Sequence, residues 1–301
     1  MSSSDALLSL VYQSPELDEP RLVYGDWLQQ QGDPRAELLT LQLEPNPSSD
    51  VRARATALVR RFGRQWLGPL APAVATGTER FSRGFPSAGA VSFATPALRD
   101  ALTGHPAWNT FTELAGSAPA FLVGTELRGL EALFVTGDEV LPLLSRRQWP
   151  FRRLARLSVR WSSTFSLPAL VDLDAPALRH LELALQQGER ERLPGALSKL
   201  SRVLGRLESL RVEGLGDVAT IRSLLSNTGL RRLELDAPAV VFHRVAGGWA
   251  LELLAAAGGV PSVAGLLPLV IALVEPGEPW AERRAQVRVE LQRLGLELLQ
   301  L

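Results

Sequence analysis

A short apolar pattern recurs five times in the central part of the chain. In each copy an apolar residue is followed three and five residues later by two more, as in Leu130, Leu133 and Val135. Successive copies start 24, 24, 29 and 23 residues apart, at Leu130, Leu154, Leu178, Leu207 and Leu230. Repeats of this length predict one short strand and one helical connection per copy, stacked so that neighbouring copies share a core.

The period and the apolar triplets are typical of leucine-rich repeats, which are roughly 20 to 29 residues long. We therefore predict an α/β fold, an irregular leucine-rich-repeat-like solenoid with a parallel concave sheet. Irregularity is expected because no asparagine occupies the ninth position of any copy, where these repeats usually carry one to tie successive turns together. Those positions hold Asp138, Ser162, Gln186, Leu215 and Pro238. Trp108 and Phe111 predict a degenerate earlier copy whose third position is Glu113.

Residues 4 to 44 have the pattern of three successive helices. Pro20 fits the first turn of the second helix, and Gly32-Asp33-Pro34 ends it and starts the third. Four residues of the second helix are separated by helical spacings and are expected to face a common core. They are Leu22, Val23, Trp27 and Leu28.

The segment PRLVYGDWLQQQGDPRAELLTLQ, residues 20–42, carries a recognisable pattern. It resembles a short companion domain that precedes leucine-rich-repeat-like segments in some bacterial proteins, with a pattern close to PRLVYADWLEERGDPRGEFIRLQ. Gly25 stands where that pattern has alanine, and the later Arg83-Gly84-Phe85 also resembles this group. The family has no established activity, so the resemblance implies an architecture and no chemistry. Asp26 and Asp33 are interpreted as a helix-surface charge and a capping or turn residue.

These patterns predict three parts of the chain. Residues 1–80 form an N-terminal helical companion or capping domain, residues 81–238 form the solenoid, and residues 239–301 form a C-terminal α+β cap. Within the cap we predict a β-hairpin over 240–253, two helices near 262–274 and 281–294, and a last strand over 296–301. Both ends differ from the repeats, as expected of units that cover an open core.

Composition argues against several classes of function. Formal charge is balanced, with 32 basic and 32 acidic residues, so nucleic acid and anionic membranes are not expected partners. The chain has no cysteine, which excludes disulfides and thiolate chemistry. Five arginines between Arg52 and Arg64 predict a solvated helix face, with an anionic partner as the alternative. The start of the chain is acidic, and its longest apolar run, 264–274, is too short to span a bilayer, so a cytoplasmic location is expected.

Strand geometry predicts which residues are available to a partner. If the triplets face the core, then positions 3, 5 and 7 of each copy line the concave sheet. Arginine and acid can pair there simply to solubilise the sheet, or they can bind a protein or peptide around aromatic anchors. The candidate binding residues are Phe134, Arg156, Arg160, Trp161, His180, Glu182, Arg211, Glu213, Arg232 and Glu234.

Catalysis is not predicted, and neither is a cofactor. The sequence has no phosphate-binding, metalloprotease or nucleophile-elbow motif, and the geometrically possible His180 and Glu182 pair lacks an obvious third metal ligand. The predicted function is therefore a non-catalytic protein- or peptide-binding scaffold. Two alternatives remain open. The chain could activate a partner GTPase through Arg156 or Arg160, or it could be a structural subunit that self-associates through strand edges.

Overall fold

The structure is a computed structural model that describes residues 3–116, 118–185, 189–213, 215, 218–226, 229–236, 239–245 and 248–253. Contacts divide the chain into two compact units, of which the first ends at Leu207 and the second begins at Glu208. Each unit is described by itself. The boundaries between the three predicted domains stay predictions.

The first unit begins with four helices. They are α1 (Ser3–Gln13), α2 (Glu19–Gln30), α3 (Pro34–Leu43) and α4 (Ser49–Trp66). The three helices predicted over residues 4 to 44 are thus confirmed. Asp33 caps α3, because its carboxylate accepts a hydrogen bond from the N–H of Arg35 at 2.8 Å.

Helix α2 is rotated relative to the orientation that its apolar residues predict. Arg21, Tyr24, Gly25 and Leu28 are the buried residues, which is the one-faced spacing of an amphipathic helix. Leu22 and Val23, expected in the core, are 51% and 48% exposed, so that part of the prediction was wrong. The physical reason is that an arginine, which a hydrophobicity pattern counts as polar, occupies the first core position.

The N-terminal segment and the later Arg83-Gly84-Phe85 segment form one packing unit. The Phe85 ring contacts two buried guanidinium groups, with its centroid 4.8 Å from that of Arg21 and 4.2 Å from that of Arg35. Arg35 Nε donates to the carbonyl of Gly84 at 2.8 Å, and Arg21 Nη2 donates to the carbonyl of Pro15 at 2.6 Å. Burial lowers the pKa of Arg21 to about 10. The two segments are therefore structural, since their conspicuous residues contact one another.

Six strands of the first unit are hydrogen-bonded in sequence order. The first two are antiparallel, and each later strand is parallel to its predecessor. The predicted α/β class and mostly parallel sheet are thus confirmed. The strands are β1 (Arg80–Ser82), β2 (Phe85–Ala90), β3 (Glu113–Ala115), β4 (Ala132–Thr136), β5 (Arg156–Ser162) and β6 (His180–Leu185).

One hydrogen-bond arrangement recurs at the start of successive parallel strands. A single carbonyl in each turn accepts two consecutive N–H groups of the following turn. The carbonyl of Thr112 accepts from Glu131 and Ala132, and that of Glu131 accepts from Ala155 and Arg156. The carbonyl of Ala155 then accepts from Arg179 and His180. The apolar copies therefore share a backbone geometry as well as a side-chain pattern.

All fifteen residues of the five apolar triplets are buried, each at most 2% exposed. The degenerate earlier copy exists in a different register from the predicted one. Leu114 is the register partner of Leu133, so Phe111 and Leu114 occupy the first two core positions, and Glu113 pairs with the outward Ala132. Trp108 is also buried, but it precedes the copy. The prediction placed the copy three residues too early because Trp108 and Phe111 happen to have the triplet's spacing.

Helical turns connect the strands, as the length of the repeats predicts. Residues Leu167–Leu170 form a 3-10 turn, as do Gly68–Ala73, Pro106–Thr110 and Arg190–Arg192. The α-helices are α5 (Pro96–Leu102), α6 (Pro119–Gly124), α7 (Val140–Leu144), α8 (Leu193–Lys199) and α9 (Ser201–Leu204).

The second unit repeats the parallel geometry once and then ends in a hairpin. Its elements are β7 (Ser209–Glu213), α10 (Val218–Leu225), β8 (Arg232–Asp236), β9 (Ala239–Val245) and β10 (Gly248–Leu253). Strands β7 and β8 are parallel, whereas β8, β9 and β10 are antiparallel in that order, which confirms the predicted hairpin. The helices predicted near 262–274 and 281–294 and the strand over 296–301 lie outside the described residues.

In the described part of the chain, no helix combines the length and the apolar character needed to cross a lipid bilayer.

Candidate functional site

Three rows of side chains cross the outward face of β4, β5 and β6. The strand register aligns Ala132 with Arg156 and His180, then Phe134 with Ser158 and Glu182, and finally Thr136 with Arg160 and Ala184. The intervening residues are the buried triplet positions. Five predicted binding residues are therefore brought together on one face of the first unit. They are Phe134, Arg156, Arg160, His180 and Glu182.

The Phe134 ring, in the second row, is surrounded by small side chains. Phe134 is half-buried, and its register neighbours on the adjacent strands are Ala115 and Ser158. Along its own strand, the residues on the same face are Ala132 and Thr136. Because none of these neighbours is larger than threonine, one part of the ring stays accessible to a partner.

Charge on this face is partly neutralised within the sheet. Arg160 Nη2 donates to Glu182 Oε1 at 3.0 Å, so the two form a lateral ion pair between β5 and β6. Half of the Arg160 side chain remains exposed, which limits such a pair to about 0 to 1 kcal/mol of stability. On the neighbouring strands β1 and β3, Arg80 forms a second ion pair with Glu113, which aligns with the first row. These pairs match the solubilising interpretation for those four residues.

The second unit carries the other four predicted residues that are described with their side chains. Arg211 is the register partner of Glu234, and their side chains form an ion pair at 3.4 Å. Arg232 Nη2 donates to the other carboxylate oxygen of Glu234 at 2.9 Å. Glu213 is half-buried at the end of β7. Glu234 thus forms ion pairs with both arginines, so three of these four residues are paired with one another.

Trp161, predicted as an aromatic anchor, lies in β5 at an irregularity of the register between Arg160 and Ser162. Its side chain is outside the described part of the structure. Among the described residues, no group of three or more histidine, aspartate or glutamate side chains is arranged to hold a metal ion.

Two surface grooves lie away from the predicted residues. One of about 630 Å³ is lined by residues that follow β2 and β3, including Phe93, Arg99 and Pro119. The other, of about 460 Å³, lies between α4 and β1 and includes Arg52 and Phe81. Neither of these two grooves contains any of the ten candidate residues.

One exposed aromatic residue was missed by the sequence-based prediction. Phe165 is 76% exposed in the turn after β5, with the guanidinium of Arg192 5.3 Å from its ring centroid. The turn is braced because Glu189 accepts hydrogen bonds from the N–H and the hydroxyl of Thr164, at 3.1 and 2.6 Å. These bonds lower the pKa of Glu189. The signal that could have identified it is a lone phenylalanine directly after the polar run Ser162-Ser163-Thr164.

The turn after β5 also explains how one missing asparagine is replaced. Asp138, at the ninth position of the first copy, accepts a hydrogen bond from the N–H of Ser163 in the next turn. A carboxylate at the ninth position of this copy thus joins one turn to the next.

With this geometry established, similarity to known proteins adds no assignment: no family model, no curated protein and no solved structure matches the chain.

Proposed function

We propose that the chain is a non-catalytic scaffold that binds a protein or peptide on the outward face of its repeat sheet. In this proposal the fold is an irregular leucine-rich-repeat-like solenoid, the outward face is concave, and the N-terminal helices and the C-terminal hairpin are caps. The resemblance of residues 20–42 to the bacterial companion domain belongs to the same proposal, as does the predicted cytoplasmic location.

The observation that carries the proposal is the composition of the three rows on β4 to β6. An accessible phenylalanine and an exposed arginine stand on consecutive rows of a sheet whose other face is fully apolar and buried. Phenylalanine and arginine are among the residue types that are enriched at the centre of protein interfaces. Neither Phe134 nor Arg156 packs into the core, so folding alone does not account for them.

The repeated backbone geometry supports the same function. Parallel strands bonded through the same carbonyl position hold the outward side chains at fixed separations. A partner that binds such a face meets side chains that are already positioned, which reduces the entropy lost on association. A regular sheet therefore suits recognition of an extended segment or a flat protein surface.

Affinity capture from the native host tests the proposal. The wild-type chain, the triple variant Phe134→Ala/Arg156→Ala/Arg160→Ala and a control triple variant serve as baits. The control, Leu10→Ala/Arg152→Ala/Arg202→Ala, removes one exposed apolar residue and two exposed arginines elsewhere. We expect a partner that wild type and control retain and the face variant loses.

Thermal unfolding of all three proteins separates binding from folding. The three face residues leave the core intact when truncated, so the midpoints are expected to agree within a few degrees. Equal recovery of every captured protein by the three baits would overturn the proposal. Unfolding of the face variant alone would show that these residues are structural.

The two alternatives stay predictions. A GTPase activator needs an arginine that is available to the partner's nucleotide. Arg160 is bonded to Glu182, so Arg156 is the better placed of the two nominated arginines for that role.

A further inference from the structure

We infer that the partner presents a carboxylate to Arg156 and, two residues away in an extended segment, an apolar side chain to Phe134. This inference rests on the proposed function, since it names the chemistry that the same face would select. It makes Arg156 the specificity-determining residue of the first unit.

Most of the outward arginines of the first unit are paired within the sheet. Of the three arginines that point outward along β1 to β5, Arg80 is paired with Glu113 and Arg160 with Glu182. Arg156 is exposed and has no ion-pair partner among the described residues. The face of the first unit therefore carries one positive charge that the sheet itself leaves uncompensated.

Glu182 lies within reach of both arginines of β5 but pairs with Arg160. Its register neighbour on β5 is Ser158, which lies midway between Arg156 and Arg160, so the strand geometry permits either arginine as its partner. The carboxylate bonds Arg160 at 3.0 Å. The residue next to Arg156 in its own row is instead His180, which contributes ring N–H chemistry and no negative charge.

A carboxylate fits the Arg156 guanidinium in both charge and geometry. A guanidinium group offers parallel N–H donors that match both oxygens of a carboxylate, which gives short and directional bonds. Ala132, on the other side of Arg156 in the row, is too small to block a ligand from reaching it. The position thus has a donor set, an unbalanced charge and open space.

The separation between Arg156 and Phe134 suits two side chains of one extended segment. Phe134 is one strand away from Arg156 and two residues further along. Two residues of extended chain span about 6 to 7 Å, and neighbouring strands are about 4.8 Å apart. Side chains at positions i and i+2 of an extended partner point to the same side with a matching separation. An acidic residue and an apolar residue at that spacing would contact Arg156 and Phe134 together.

Selection from a displayed library of random dodecapeptides tests the inference on the full chain. The baits are the wild type, Arg156→Glu and the matched control Arg152→Glu, since Arg152 is exposed in the turn before β5. Wild type and control are expected to enrich aspartate or glutamate two positions from leucine, isoleucine or phenylalanine. Arg156→Glu is expected to enrich lysine or arginine there. A selected synthetic peptide should bind Arg156→Glu about tenfold or more weakly than wild type.

The outcomes distinguish this inference from the function on which it rests. If the peptides depend on Phe134 but show no acidic preference, or bind Arg156→Glu as tightly as wild type, the carboxylate inference is overturned and the binding function stands. If wild type enriches no peptide, or only peptides insensitive to both Phe134 and Arg156, the proposed function fails and the inference fails with it. Circular dichroism of each bait confirms that the comparison is between folded proteins.

Discussion

At the scale of single residues, Gly84 leaves no room for a side chain between the β1–β2 turn and helix α3. Its φ of +74° is a backbone conformation that side chains disfavour, and a Cβ built there would lie 2.9 Å from the Cβ of Leu39. The same glycine presents its carbonyl to Arg35 and donates its N–H to Gln42 Oε1 at 2.9 Å. A side chain at this position would therefore displace helix α3 from the turn between β1 and β2.

We expect Gly84→Ala to lower the free energy of unfolding by about 2 to 4 kcal/mol, from backbone strain and the clash together. Gly32→Ala is the matched control, since Gly32 has a φ of +68° and no atom within 4 Å of the added methyl group. It should cost only the strain, about 1 kcal/mol. Urea unfolding of both variants measures the difference, and equal losses would contradict the predicted contact with Leu39.

Residue identity explains where sequence reasoning succeeded and where it did not. The capping role of Asp33 was predictable because the cap is a local hydrogen bond. The burial of Arg21 and Arg35 was not, because it depends on Phe85 and on the carbonyls of Pro15 and Gly84, which are distant in sequence or invisible to a hydrophobicity pattern. Pairing of Arg160 with Glu182, rather than Arg156 with Glu182, likewise depends on side-chain conformations that the register leaves open.

At the scale of elements, strand β3 defines the register of the degenerate copy. Leu114 is buried beside Leu133, whereas Glu113 is on the outward face in an ion pair with Arg80. The strands whose triplets are purely apolar were predictable from the sequence. This one was not, since two buried aromatic residues precede it at the same spacing as a triplet.

Alanine substitutions along β3 test the observed register. Leu114→Ala removes a buried side chain and should lower the free energy of unfolding by about 2 to 5 kcal/mol, as should Leu133→Ala in the next strand. Glu113→Ala removes only an exposed ion pair and should change it by less than about 1 kcal/mol. Chemical denaturation gives the three values. A larger loss for Glu113→Ala than for Leu114→Ala would restore the register that the sequence predicted.

At the scale of the whole molecule, the chain contains only two tyrosines, and both lie in the first unit. Tyr12 and Tyr24 belong to the core formed by α1, α2 and Phe85. Burial raises the pKa of both, and the nearby Arg35 opposes the shift. Phenolate absorbance therefore reports on the integrity of this core without an introduced probe.

Alkaline pH should destabilise the fold through these tyrosines. A phenol whose pKa is raised on folding contributes stability that is complete below about pH 10 and is lost as the pH rises through the folded-state value. The lowered pKa of Arg21 acts in the opposite direction over the same range, but it is common to the wild type and to Tyr12→Phe. Tyr12→Phe should thus lose less stability than wild type between about pH 9 and pH 11.

Unfolding free energies at several pH values, with parallel phenolate absorbance, check this expectation. In the wild type the phenolate signal should appear above the ordinary tyrosine range and together with the loss of helical circular dichroism. Ionisation of both tyrosines in the folded protein near the ordinary pKa would show that the core around Phe85 is open to water.

The shared carbonyl acceptor at the start of each strand is compatible with connections of different length. The acceptors Thr112, Glu131 and Ala155 are 19 and 24 residues apart, yet each makes the same pair of bonds. The bond fixes where the next strand starts and not how many residues lead to it. Lengthening a connection should therefore leave the outward face in place, so an uneven period is no obstacle to a regular surface.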